Sequence, residues 1–171
     1  METWDAIRAR RATKEYDSRP VAKEDLEQIL EAGRRAPSAG NRQNWDFVLI
    51  QDRGQLEKIS HVWQGAAHIA NAAAAVGLVA PFSDDLRQTA VINYDLGQVA
   101  MSMMIAAADL GIGSRTASVQ EHDLAAEILG TPDDRRLTWL LGLGYPGDRP
   151  LKPIKNPARR PVDEVVHHDR W

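Results

Sequence analysis

The sequence predicts one layered domain of α+β or α/β class, with a few strands packed against helices. Two observations predict it. Segments with amphipathic-helix spacing alternate with short, β-favouring apolar runs. At 171 residues and 43% hydrophobic content, the chain can also bury one sizeable core. No internal repeat or low-complexity tract interrupts this pattern, so residues 1–171 read as a single domain.

Trp4 and Ile7 mark a short first helix that ends at Arg10-Arg11. Leu26, Ile29 and Leu30, after Ser18-Arg19-Pro20, predict an amphipathic helix from about Lys23 to Arg35, closed by Pro37. Trp45-Asp46-Phe47-Val48-Leu49-Ile50 is a compact β-favouring run with turn signals on both sides, which predicts a strand. Asp52-Arg53-Gly54 turns into a helix with Leu56, Ile59 and Trp63 on one face, and Ala74 to Val79 reads as a second, buried strand. From about Asp85 to Leu110 the spacing predicts a long helix. Its face of Ala90, Gly97, Ala100, Met101, Met104 and Ala108 is small and soft, which predicts a central, fully packed position. Gly111-Ile112-Gly113 caps it and opens a turn through Ser118 that is rich in backbone donors. A helix from Gln120 to Leu129 and a third strand, Thr138 to Leu143, follow. Six of the nine prolines then lie between Pro132 and Pro161, so residues 146–171 read as an extended C-terminal arm without a core of its own. Such an arm wraps its own domain or reaches a partner chain; the second is the preferred expectation.

Composition excludes several chemistries. With no cysteine there is no thiolate catalysis, disulfide or cysteine-based metal site. The five histidines lack metal-ligand spacing, and neither an H-E-x-x-H nor a G-x-S-x-G pattern occurs. A net charge of −3 does not suggest a nucleic-acid surface. The N-terminus shows no export signal, and Ala66 to Ala80 is too short and polar to span a bilayer, so a cytoplasmic location is expected. Gly142-Leu143-Gly144-Tyr145-Pro146-Gly147 matches G-x-G-x-x-G literally. A dinucleotide loop needs a helix next, and Pro146 with the proline-rich tail stands there instead, so strand-ending glycines are the better reading. Arg34-Arg35 reads as an ordinary helix C-terminus.

Two cationic clusters, Arg10-Arg11-Ala12-Thr13-Lys14 and Arg159-Arg160, remain unexplained in a chain of negative net charge, and they point to a bound anion. The Pro37-Ser38-Ala39-Gly40-Asn41-Arg42-Gln43-Asn44 loop offers a hydroxyl and several carboxamides, which suit a heteroaromatic edge of alternating C=O and N–H groups. A phosphate grip beside such a loop describes a phosphorylated heterocycle, and FMN fits both parts.

At this point the chain resembles the nitroreductase family of flavin-dependent oxidoreductases over nearly its whole length. Ile7 to Tyr16 with Pro20-Val21 matches the family's opening pattern, and Ala36-Pro37-Ser38-Ala39-Gly40-Asn41-Arg42-Gln43-Asn44-Trp45-Asp46-Phe47 matches the next. Leu143-Gly144-Tyr145-Pro146 and Arg159-Arg160-Pro161-Val162 match further on. The resemblance implies an α+β fold with a small, mostly antiparallel sheet between helices. It also implies a homodimer with FMN at the subunit interface and exchanged C-terminal arms. It assigns Arg10, Arg11, Ala12 and Arg159 to the phosphate and ribityl chain, Lys14 to the N1/O2 edge, and Gln64 to the pyrimidine edge. Pro37, Ser38, Ala39, Asn41 and Gln43 would come from the other subunit, and the backbone of Ala117 and Ser118 would face N5 and O4. The implied activity is hydride transfer from NAD(P)H through flavin N5 to a small nitroaromatic, quinone or enone-like acceptor, with no side chain as nucleophile and no metal. A flavin-dependent dehydrogenase, oxidase or dehalogenase, or a flavin-binding protein without turnover, are the alternatives. Ala12, Ala39 and Asn44 depart from the family pattern, each losing a side-chain contact while keeping the backbone.

Overall fold

Alternation along two strands sets the architecture. A computed structural model describes residues 1–171, in which β1 (Asp46–Ile50), β2 (Ala74–Pro81), β3 (Gly113–Ser118) and β4 (Arg135–Gly144) form one sheet. Its order is β1-β2-β4-β3, and every neighbouring pair is antiparallel. Ala74, Val76, Leu78 and Ala80 of β2 point to one face with Leu141 and Leu143 of β4. There they meet α2 (Lys23–Arg34) and α4 (Leu86–Asp109), which contribute Leu26, Ile29, Leu96, Val99 and Met103. Ala75, Val79, Leu137 and Leu140 point the other way, under α3 (Arg53–Ile59), two short 3₁₀ segments between Ser60 and Asn71, and α5 (His122–Leu129). Burial on both faces is why β2 reads as an unbroken apolar run rather than an alternating one. A bulge sits between Leu78, which pairs with Trp139, and Val79, which pairs with Leu137. It keeps both strand ends facing their proper layers.

The sheet is therefore antiparallel and packed between helices, which settles the class as α+β. Capping follows local chemistry at two helices. The Asp52 carboxylate accepts from the Gln55 N–H at 2.9 Å, and Asp85 accepts from the N–H groups of Arg87 and Gln88. α1 (Thr3–Ala9) lies against α4.

Two expectations need correction. The donor-rich turn after Gly113 is a six-residue strand, β3, at the sheet edge. Gly-Ser-Arg-Thr-Ala-Ser carries no apolar run although α4 and the 3₁₀ segment Gln64–Asn71 cover its two faces; its pairing with β4 holds it, rather than its own hydrophobicity. On α4, the soft face is not fully packed within the chain. Ala100 and Ala108 are buried, but Ala90, Gly97 and Met101 are exposed, and the core-facing stripe is Ile92, Leu96, Val99, Met103 and Ala107. Apolar residues ring this helix, so periodicity alone does not say which stripe meets the sheet. The strands also run longer than expected at β2 and β4, and Trp45 lies just before β1.

After Gly144 no helix begins. Tyr16 instead bridges to Pro146, and its ring covers β4 so closely that a Cβ on Gly144 would lie 2.8 Å from the ring. The glycines are there for strand packing, as expected. Residues beyond Ile154 are exposed and irregular apart from a 3₁₀ turn at Val162–Glu164.

Leu141 is fully buried in a central strand, so Leu141→Ala is expected to lower the urea-unfolding free energy by about 2–5 kcal/mol. Asp52→Ala, which removes one cap, should cost only about 1 kcal/mol. Equal losses in the two variants would contradict this placement of the core.

Candidate functional site

The segment after α1 is extended and tied to the sheet edge. Ala12 forms a parallel bridge with Ser114, and the Thr13 N–H donates to the Ser114 carbonyl at 3.1 Å. Thr13 is buried against Gly113, where a Cβ would stand 2.5 Å from its hydroxyl oxygen. Alternation then turns the neighbours of Thr13 away from the core. Arg10 and Lys14 have no carboxylate partner, and the main-chain N–H groups of Arg11, Ala12 and Lys14 have no acceptor within the chain. Two unpaired cations next to free amides form an anion-accepting donor set.

Arg11 differs from its neighbours. Its guanidinium pairs with Asp148 at 2.9 Å and donates to the Arg149 carbonyl at 2.6 Å. This cation anchors the start of the tail, so its contribution to an anion is from the backbone. Arg34 and Arg35 behave as a helix end: first Arg34, then Arg35, hydrogen-bonds Glu31 and pulls its carboxyl down to about 2.

Next to the donor set sits His68, buried in the 3₁₀ segment Gln64–Asn71. Its Nδ1 lies 3.1 Å from the Gly65 carbonyl oxygen and its Nε2 lies 3.3 Å from that of Arg115 on β3. A neutral ring can donate only once, so one of these contacts lacks a proton; the doubly protonated ring would satisfy both. Burial opposes that charge and pushes the His68 pKa down, with the Arg115 and Lys14 cations acting in the same direction against its hydrogen bonds. The Tyr16 ring lies 6.4 Å away, its hydroxyl buried without a partner and its pKa pushed up by burial. Through His68, the segment that starts at Gln64 is joined to β3 and its Ala117 and Ser118, beside the Arg10–Lys14 segment.

The Pro37–Gln43 loop is built elsewhere. Gly40, Asn41 and Gln43 have φ of 59°, 55° and 52°, a left-handed conformation that is costly outside glycine. Ser38 Oγ accepts from the Gln43 N–H at 2.9 Å, and the Gln43 side chain donates to Asn41. Asp95, buried on α4, accepts from the Ala39 N–H with both carboxylate oxygens at 3.2 Å. Neither this loop nor Arg159, which donates only to the Ala158 carbonyl, has a hydrogen bond to the Arg10–Lys14 segment. The Arg10–Lys14 segment is thus bridged to β3 and tied to the start of the tail, and His68 links the segment that begins at Gln64 to the same strand, whereas the Pro37–Gln43 loop and Arg159 have no hydrogen bond to it.

A cleft of about 690 Å³ opens beside Lys14 and is walled by Tyr16–Val21, Gln51, Arg53 and Asn71. Of the residues expected to bind a cofactor, only Lys14 lines it. Sequence reasoning missed His68, Tyr16 and Asp95. Asp95 left a signal, a lone carboxylate in the apolar stripe between Ile92 and Leu96, whereas His68 is one of five histidines without metal-ligand spacing and left none.

Residues 7–91 match the model of the nitroreductase family. A protein of Archaeoglobus fulgidus provisionally named NADH dehydrogenase/NAD(P)H nitroreductase is 32% identical over 169 residues, covering 96% of each chain. Among solved structures, a Clostridium acetobutylicum protein provisionally named NADH oxidase superposes with a TM-score of 0.86 at 25% identity, over 98% of this chain and 100% of that one. An FMN-dependent nitroreductase of Clostridium difficile R20291 superposes with a TM-score of 0.84 at 23% identity, covering 97% of this chain and 98% of its own. No helix of the chain is long and apolar enough to cross a membrane.

Because the folded state depresses the His68 pKa, the unfolded chain binds that proton more readily. The stability that the neutral ring confers is complete above its ordinary value of 6.5 and is lost as pH falls through the lowered one. His68→Gln, which does not titrate, is expected to flatten urea-unfolding stability between about pH 7 and pH 5. An unchanged slope in the variant would show that His68 is not buried as described.

Proposed function

Because this chain belongs to the nitroreductase family, we propose that it is an FMN-dependent oxidoreductase that moves hydride from NAD(P)H to a small oxidised acceptor of nitroaromatic, quinone or enone type. The observation that carries this reading is the donor set at Arg10–Lys14: two cations without counterions on a segment whose free amides face outward from a sheet edge. That chemistry fits a phosphate with a polar chain behind it. When bound, FMN would supply reversible hydride acceptance and donation, which no side chain here offers.

The chain's own residues have separable tasks. Arg10, with the amides of Arg11 and Ala12, would hold the phosphate, and Lys14 would neutralise negative charge that develops at the pyrimidine end. Gln64 would read the carbonyl and N–H edge, and the backbone at Ala117 and Ser118 would orient the reactive side. The Pro37–Gln43 loop of a second copy would close the site from above and exclude water.

A second copy is supported by three features. Within one chain neither the Pro37–Gln43 loop nor Arg159 has a hydrogen bond to the Arg10–Lys14 segment, which fits a site completed between chains. α4 exposes Leu86, Tyr94 and Met101, at 85%, 71% and 37% of their surface, roughly one helical stripe. The tail exposes Val162, Val165, Val166 and Trp171, apolar groups without a surface of their own chain to cover them. We read residues 146–171 as an arm exchanged in that homodimer.

The purified protein is expected to be yellow and dimeric, and anaerobic stopped-flow mixing with NADH or NADPH should bleach the flavin band; a colourless monomer, or a flavin that neither nucleotide bleaches, would sink the reading. Arg10 and Arg11 should separate in an FMN titration followed by fluorescence quenching. Arg10→Ala loses a charge-assisted contact and is expected to raise the Kd by about ten- to a hundredfold, or about 1.5–3 kcal/mol. Arg11→Ala loses a pair with Asp148 and should change the Kd less than about fivefold. The reverse order would overturn the assignment of the two cations.

A further inference from the structure

A second cleft, of about 490 Å³, lies between the Ala39–Asn44 part of the loop and the first turns of α4. Apart from Ala39, none of the residues assigned above to FMN lines it. Arg42 stands on the loop side and Arg87 on the helix side, one heptad before Tyr94, so both border the surface that the second copy proposed above would meet. Arg19, Arg34 and Arg35 are each paired with a carboxylate, whereas Arg42 and Arg87 have no acidic partner. The one carboxylate in the cleft wall, Asp85, caps α4 by accepting from the N–H groups of Arg87 and Gln88 through Oδ1. Between the cations the wall is apolar, from Val91 and Ile92, and the carboxamides of Asn44 and Gln88 border it.

Arg42 is also held in place by its backbone. Asn41 and Gln43 flank it in left-handed conformation, the turn is closed by Ser38, and Asp95 fixes its base at Ala39. Strain of this kind clusters at ligand sites, and here it fixes the point from which the exposed, unpaired Arg42 side chain departs. The cleft has the size of a small-molecule site, which is about 300–1,000 Å³. An apolar wall, two carboxamides and two unpaired guanidinium groups suit a flat heteroaromatic ligand that carries a phosphate monoester.

We propose that this cleft takes the adenosine 2′-phosphate end of NADPH, with the phosphate on Arg42 and Arg87 and the purine against Val91 and Ile92. The assignment rests on the NAD(P)H oxidoreductase reading and makes NADPH the preferred donor.

Calorimetric titration of the intact protein with 2′-AMP, 5′-AMP and adenosine tests it. 2′-AMP is expected to bind about tenfold more tightly than either of the others. The preference should vanish in R42A/R87A, and the ratio of kcat/KM for NADPH over NADH should fall about tenfold in the same variant. Arg87→Glu, a single exposed change, serves if the double variant does not fold, and it should lower the same ratio. Equal binding of 2′-AMP and 5′-AMP, or a preference that survives the substitutions, overturns the proposal. The two readings fail separately. A yellow protein that NADH and NADPH bleach alike, with no 2′-AMP preference, loses the cleft and keeps the oxidoreductase. A colourless protein that still prefers 2′-AMP, and loses that preference in R42A/R87A, keeps the cleft as a nucleotide phosphate site and loses the redox role.

Discussion

Thr13 fixes the geometry on which the candidate site depends. Its N–H binds the Ser114 carbonyl and its side chain fills the space that Gly113 leaves by lacking a Cβ. Each contact is ordinary in strength, about 1 kcal/mol for such a hydrogen bond. Together they set the register of an otherwise free segment against the sheet edge. In extended chain, register decides direction: with Thr13 inward, the adjacent residues are held at the surface. A slip of one residue would bury Lys14 and expose Thr13, and the cationic donor set would be lost although every residue of it remained.

The rest of the molecule supplies the rigidity that this arrangement needs. β3 has little hydrophobicity of its own and is kept in place by β4, whose Leu140, Leu141 and Leu143 are fully buried between the two helical layers. Tyr16 closes over Gly142 and Gly144, so the outgoing chain cannot drift from the strand that carries it. On the far flank, the buried Asp95 carboxylate does comparable work for the Pro37–Gln43 loop. A buried charge with a single hydrogen-bond donor is an expensive support. Its position under a loop with three left-handed residues indicates that loop shape, rather than overall stability, is what it maintains.

Much of this was legible in the sequence, and the reasons are local. α2 and α3 announce themselves through apolar spacing and end signals such as Pro37 and Asp52. β1 and β2 are visible as apolar runs. β3 was hidden because an edge strand of Gly, Ser, Arg and Thr is stabilised by its partner, which periodicity does not record. The packed stripe of α4 was hidden because several apolar stripes compete on one helix and the sheet chooses among them. At the candidate site, residue types pointed to Arg10 and Lys14, while the pairing of Arg11 with Asp148 joins positions 137 residues apart and left no pattern to read. The same holds for the carbonyls that flank His68, since backbone acceptors carry no sequence signature.

The Arg11–Asp148 pair also makes two distant parts of the chain thermodynamically dependent on each other. One cation belongs both to the Arg10–Lys14 segment and to the root of the tail, so ordering either one lowers the entropy left to lose in the other. Linkage of this kind is reciprocal: whatever free energy an anion at Arg10 lends to the docking of the tail, a docked tail must return to the anion in equal measure.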